Sequence, residues 1–224
     1  MDKLMTSAYR KRPIKRKSHV RDAKLIIIAT EGEKTEAKYF SDLTSPRWFG
    51  KSTIQVEIIP NQGSGNSPKQ VFNQLDLFRK KFKLDKYDEL WLVVDVDNWG
   101  DEKLSEVARL CVQKKFHLAV SNPCFELWLL LHLVSLDRFS PAEKMKLLKN
   151  SKVTKNRNKL DHEILKILGK YNKANLDSEL FLPNLEEAIT RAEKLDTLPK
   201  ERWPSNLGSH VYKLAKSIIL KGIS

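Results

Sequence analysis

Long apolar runs are missing from this chain. None approaches the roughly 18 residues that a membrane span needs, and the longest candidate, residues 125–134, carries Glu126 and His132. No membrane-crossing segment and no membrane partner are therefore expected. Cysteine is scarce as well. Cys111 and Cys124 are the only two, which makes neither a disulfide framework nor a zinc site. Both are expected to be buried, in a reducing, cytoplasmic setting. The basic N-terminus is not followed at once by an apolar segment, so it does not read as a secretory signal. No internal repeat is visible. The loop GSGNSPK at 63–69 is not followed by Gly-Lys-Ser/Thr, so it is not a P-loop. It reads either as a strand-to-helix turn or as a set of backbone N–H groups open to a phosphate.

What is present is positive charge. The 224 residues hold 41 Lys and Arg against 28 Asp and Glu, a net charge of +13. Such a balance points to a polyanionic partner, nucleic acid before a membrane surface. The charge is uneven. Residues 1–24 hold nine Lys and Arg against two Asp, which leaves 32 against 26 elsewhere. Arg10, Lys11, Arg12, Lys15, Arg16 and Lys17 form either a solubilising arm or a phosphate-binding one. The hydrophobic content of 41% is enough for one substantial core.

Periodicity organises the rest. Residues 24–30 and 89–96 are apolar runs, 53–59 alternates, and 117–120 is short and β-rich; these read as four strands. Helical spacing is seen at 35–43, from Pro68 to Phe82, at 101–114 and at 124–133, the last apolar nearly all round and so buried. Asn122 is the expected N-cap of that last helix, with Pro123 at its first position. Strands alternating with helices predict an α/β fold with a mostly parallel sheet flanked by helices on both faces. The continuous runs at 25–29 and 90–94 are the expected central strands. Beyond residue 137 the spacing predicts helices at 139–150, 159–172, 183–196 and 206–220, and no strand. The expected organisation is a basic arm at 1–22, an α/β domain at 23–136 and a helical C-terminal extension at 137–224.

In an open parallel sheet, ligands bind beyond the carboxyl ends of the strands. Glu31 follows the first strand and Asp95 and Asp97 end the third. Two residues apart on extended chain, Asp95 and Asp97 are expected to point to one side. Glu33 and Glu36 open the first helix. Glu126 lies in the first turn of the apolar helix and can face the strand ends. Gathered carboxylates repel one another and bind protons more tightly unless a cation neutralises them. An all-oxygen set suits Mg²⁺ or Mn²⁺. His132, some 9 Å along the same helix at 1.5 Å rise per residue, reads as a satisfied buried histidine.

Three stretches carry a family resemblance: IIIATEGEKTEAKYF at 26–40, GSGNSP at 63–68 and AVSNPCFELWLLLHL at 119–133. They resemble the RloB-like family. The Glu31-Gly32 pair and the Asp95-Val96-Asp97 strand end resemble, more broadly, the Toprim domain of topoisomerases, primases and OLD-type nucleases. The resemblance implies a Toprim-like sheet and a Mg²⁺-dependent (or Mn²⁺-dependent) nuclease acting on DNA or RNA, tRNA included. It also implies bacterial antiphage defence beside an AAA/ABC-type ATPase partner, and leaves a homo-oligomer open. It assigns Glu31, Asp95 and Asp97 to catalysis and metal binding, with Glu36 as a further ligand. Glu126 is a candidate extra ligand from its place in the first turn of the apolar helix. One extra residue in Glu31-Gly32-Glu33-Lys34-Thr35-Glu36 leaves the second glutamate open between Glu33 and Glu36. Lys34, His210 and Lys213 join the basic arm as candidate nucleic-acid contacts.

Two other readings compete. One is a Toprim module that binds nucleic acid or a partner and does no chemistry. The other is a HAD-like phosphatase, whose Asp-x-Asp pair VVDVDNW mimics. That fold wants the pair after its first strand and Thr or Val two residues after the second Asp, where this chain has Trp99.

Overall fold

A computed structural model describes residues 24–48, 54–59, 67–81, 84–97, 99–198 and 201–219. The six basic residues at 10–17 and most of the GSGNSP loop lie outside them. The core of the fold is a five-stranded sheet built from β1 (Lys24–Thr30), β2 (Ile54–Ile59), β3 (Glu89–Asp95), β4 (His117–Asn122) and the short β7 (Gly208–Ser209), in the order β2-β1-β3-β4-β7. Strands β1 to β4 are parallel. The two continuous apolar runs are indeed the central pair, β1 against β3.

Alternation along β1 sorts its side chains between two layers. Leu25, Ile27 and Ala29 pack with Val71, Leu75, Leu104 and Val107, on α2 (Pro68–Arg79) and α3 (Asp101–Lys114). Ile26 and Ile28 face the opposite layer with Tyr39 and Phe40 of α1 (Thr35–Leu43) and Leu127 and Leu130 of α4 (Phe125–Leu133). At the start of α2, Ser67 and Gln70 form a capping box ahead of Pro68, so the orphan N–H groups of that helix are satisfied.

The C-terminal part shares the second layer. Leu147 of α5 (Pro141–Lys149), Leu160 and Ile164 of α6 (Lys159–Leu168), Ala188 of α7 (Leu185–Leu195) and Leu214 of α8 (Val211–Ile219) belong to the same buried cluster as Ile26 and Trp128. Helix α4 is buried on every side because the sheet covers one flank and the C-terminal helices the other. A boundary at 136 therefore does not divide two cores.

Three expectations are corrected. The C-terminal part does contain strands: β5 (Lys152–Thr154) pairs with β6 (Arg157–Asn158), and β7 (Gly208–Ser209) adds antiparallel to β4. Asn122 does not cap α4. It ends β4, its side-chain N–H donates to Pro204 O at 2.9 Å, and Cys124 holds the cap position without a side-chain bond. Extended chain stops at Asp95, so Asp97 lies in a turn. That turn is pinned to the β4–α4 connection, where the Val96 and Asp97 N–H groups donate to Pro123 O. Among the described residues no helix is long and apolar enough to cross a membrane.

Candidate metal centre

The acids meet where the topology sends them, beyond the carboxyl ends of β1, β3 and β4. Glu31 leaves β1 with its N–H bonded to Val93 O at 3.0 Å, which holds it beside β3. Its carboxylate then bridges to the end of β3. Oε2 accepts the Asp95 N–H at 3.1 Å, and Oε1 accepts the Trp99 indole N–H at 2.9 Å. Trp99 thus positions Glu31.

Glu36 comes from the first turn of α1. Its Oε1 accepts the Gly32 N–H at 3.2 Å. Gly32 is needed for this packing, since a Cβ there would collide with both carboxylate oxygens of Glu36. The glycine of Glu31-Gly32 therefore makes room for the second glutamate. Glu33 and Lys34 are exposed. Of the two open candidates, Glu36 is the one the fold brings inward.

Burial and mutual repulsion raise the proton affinity of the group. Glu31 is pushed up to about 7, chiefly by burial, with Asp97 adding to it against the two N–H donors. Glu36 also rises to about 7, by burial and then by the Glu126 and Glu31 charges. Asp95 is pushed well above the carboxylate range by burial and by Glu36, Glu126, Glu31 and Asp97 together. Asp97, exposed in its turn, reaches about 6 through partial desolvation and Glu126, with Lys173 pulling the other way. Four carboxyls raised at once mark a site that favours either protons or a cation.

The ligand atoms that converge most closely among the described residues are those of Asp95, Cys124 and Glu126, all within 4.8 Å of one another. Glu31 and Asp97 flank this trio; they do not complete it. The expected Glu31–Asp95–Asp97 trio is thus a neighbourhood, with Glu31 turned onto its two donors.

Sequence reasoning missed the contribution of the C-terminal part. Lys173 Nζ lies 3.4 Å from Glu126 Oε1 and 3.9 Å from Asp161 Oδ2. Its own proton affinity is raised, mainly by Glu126. The Thr35 hydroxyl donates to Lys173 O at 2.8 Å, tying that segment to the start of α1. Asp161 and Tyr171 are buried close by. Only the spacing of Tyr171, Lys173 and Asp161 in a lysine-rich stretch could have pointed to them, and it has no periodic signature.

His210 and Lys213 fall elsewhere. His210 is 2% exposed and Lys213 Nζ is 3.0 Å from Asp196, which His210 Nε2 also approaches at 3.4 Å. Burial removes His210 as a surface phosphate contact. His132 is the satisfied core histidine expected: Nδ1 bonds Trp128 O at 2.9 Å and Nε2 bonds the Tyr39 hydroxyl at 3.0 Å. Burial lowers it to about 4.

Fold and site together define the class: an α/β protein with a carboxylate-lined centre at the carboxyl edge of a mostly parallel sheet. A model of one family, described as RloB-like protein, matches residues 26–218. The chain belongs to that family. Searches of curated proteins and of solved structures returned no match.

Proposed function

We propose that this chain is a metal-dependent phosphodiesterase of Toprim type that cuts DNA or RNA in bacterial antiphage defence, together with an ATPase partner. The observation that carries this reading is the convergence of Glu31, Asp95 and Asp97, at or just past the ends of β1 and β3, with Glu36 and Glu126 from the first turns of α1 and α4. An all-carboxylate set of this kind suits Mg²⁺ or Mn²⁺. Asp95 and Glu126 would hold the ion, with Glu36 and Asp97 beside them. A divalent ion held there would supply charge neutralisation at the scissile phosphate and activation of water.

The chain's own residues supply the rest. Glu31, with a pKa of about 7 and held by Trp99 and the Asp95 N–H, is suited to take a proton from water and return it to the leaving oxygen. Lys173 brings an ammonium beside Glu126, where it can meet a phosphate oxygen. The net charge of +13 fits a polyanionic substrate.

The test is cleavage of plasmid DNA and of tRNA with Mg²⁺ or Mn²⁺, with and without the ATPase, comparing wild type with Asp95→Ala. Cutting by the wild type alone supports the enzyme. If neither substrate is cut under any condition, the chain is a binding module and the nuclease reading fails.

A further inference from the structure

Cys124 stands inside the acidic cluster, yet the phosphodiesterase reading gives it no task. Its Sγ converges with the carboxylates of Asp95 and Glu126, the three ligand atoms lying within 4.8 Å of one another. Around a tetrahedral ion with bonds of about 2.0–2.3 Å, donors stand roughly 3.5 Å apart. Small side-chain rotations therefore close the trio on one point.

Two further observations point to a ligand there. Tyr171 is 8% exposed and its hydroxyl has no hydrogen-bond partner among the described residues. The charges of Glu126, Asp161, Cys124 and Glu36 all act on that hydroxyl. A buried hydroxyl with no partner costs about 1–3 kcal/mol, and a bound ion or its water would satisfy it. Asp161 Oδ1 is likewise buried without a hydrogen-bond partner among the described residues. The sulfur is also held as an acceptor. Asn150 Oδ1 accepts the Leu160 N–H at 3.0 Å, which turns its Nδ2–H onto Cys124 Sγ at 3.2 Å. Such a donor orients the sulfur, as outer partners of metal ligands do.

We propose that Asp95, Cys124 and Glu126 form a mixed thiolate–carboxylate site for a zinc-class divalent cation, with the Tyr171 hydroxyl facing the ion. A thiolate ligand favours zinc, cobalt and cadmium over magnesium. On binding, the Cys124 S–H bond breaks, the sulfur–metal bond forms and the proton passes to water. Asp95 and Glu126 are shared with the magnesium reading, so the two kinds of ion compete. The inference rests on that cluster being a cation site, not on nuclease activity.

Co²⁺ titration of the whole chain tests it. The expected result is a sulfur-to-cobalt charge-transfer band in the near ultraviolet, saturating at one ion per chain. Cys124→Ser loses the band, and Cys111→Ser keeps it. Tyr171→Phe weakens Co²⁺ binding by about tenfold, the scale of an outer-partner loss. X-ray absorption of the zinc-loaded wild type, which needs no variant, shows a sulfur at about 2.3 Å. Co²⁺ that raises the melting temperature with neither band nor sulfur scatterer overturns the thiolate site and leaves the magnesium reading standing. Unaltered affinity in Tyr171→Phe overturns it as well. Absence of any Co²⁺, Zn²⁺ or Mg²⁺ binding overturns both readings.

Discussion

Replacing Glu36 with Gln separates the cost of the acidic cluster from its use. Glu36 is buried beside Gly32, and its pKa rises from 4.5 to about 7. Above pH 7 the folded chain carries an ionised group that the unfolded chain tolerates better. That difference is about 3 kcal/mol at 1.36 kcal/mol per pKa unit. Gln keeps the oxygen that accepts the Gly32 N–H and turns N–H donors toward the remaining carboxylates. Burying the amide takes back about 1 kcal/mol. The variant should therefore be more stable than wild type by about 2 kcal/mol in chelator at pH 8, or roughly 4–8 °C in melting temperature for a chain this long. Because the folded pKa is raised, wild type loses this stability as pH rises from about 4.5 to 7. At pH 4.5 only the amide cost of about 1 kcal/mol remains, so the gain disappears there and the variant should be slightly less stable than wild type. Urea denaturation at both pH values reads the effect. Saturating Mg²⁺ should stabilise wild type by about 2.7 kcal/mol at a hundredfold excess over Kd and Glu36→Gln by much less. A variant less stable than wild type in chelator at pH 8 would refute the account of the cluster as a strained, cation-seeking site.

Other outcomes follow from the same geometry. Gly32→Ala should displace the Glu36 carboxylate and weaken Mg²⁺ binding by tenfold or so, the scale of a disturbed metal shell; unchanged affinity in calorimetry would show that Glu36 is not part of the site. With Glu31 and Glu36 at about 7 and Asp97 at about 6, Mg²⁺ binding near pH 6.5 should release protons, seen as a buffer-dependent heat, and affinity should rise up to about pH 8. Lys173→Met removes a cation 3.4 Å from Glu126 and should tighten metal binding while slowing cleavage; weaker metal binding would contradict its placement. Leu130→Ala should cost about 2–5 kcal/mol in one transition common to the sheet and the C-terminal helices, and two separate transitions would mean two cores.

The sheet and its acids were legible because their signals are local. An apolar run such as Leu25–Ile28, ending in Glu31, declares both a buried strand and its charged end. The parallel order then brings Glu31 to Asp95 without further information. What stayed hidden depends on contacts made across the chain. Lys173 and Tyr171 reach the cluster from a segment with no periodicity, held by Thr35 and Arg157. Strand β7 is two residues long, below any pattern length. Cys124 read as a small buried residue, which it is, but burial alone did not say that its neighbours would be Asp95 and Glu126. Asn122 had the residue type of a cap, yet tertiary structure assigned its side chain to Pro204.

The central claim is that the acids at 31, 36, 95, 97 and 126 surround a divalent cation. Anomalous diffraction at the manganese edge, from crystals grown with Mn²⁺, tests it most directly. The account predicts a peak against Asp95 and Glu126, with Glu36 beside it, that is lost in Asp95→Ala. Well-ordered carboxylates without a peak, or a peak elsewhere on the chain, would contradict it.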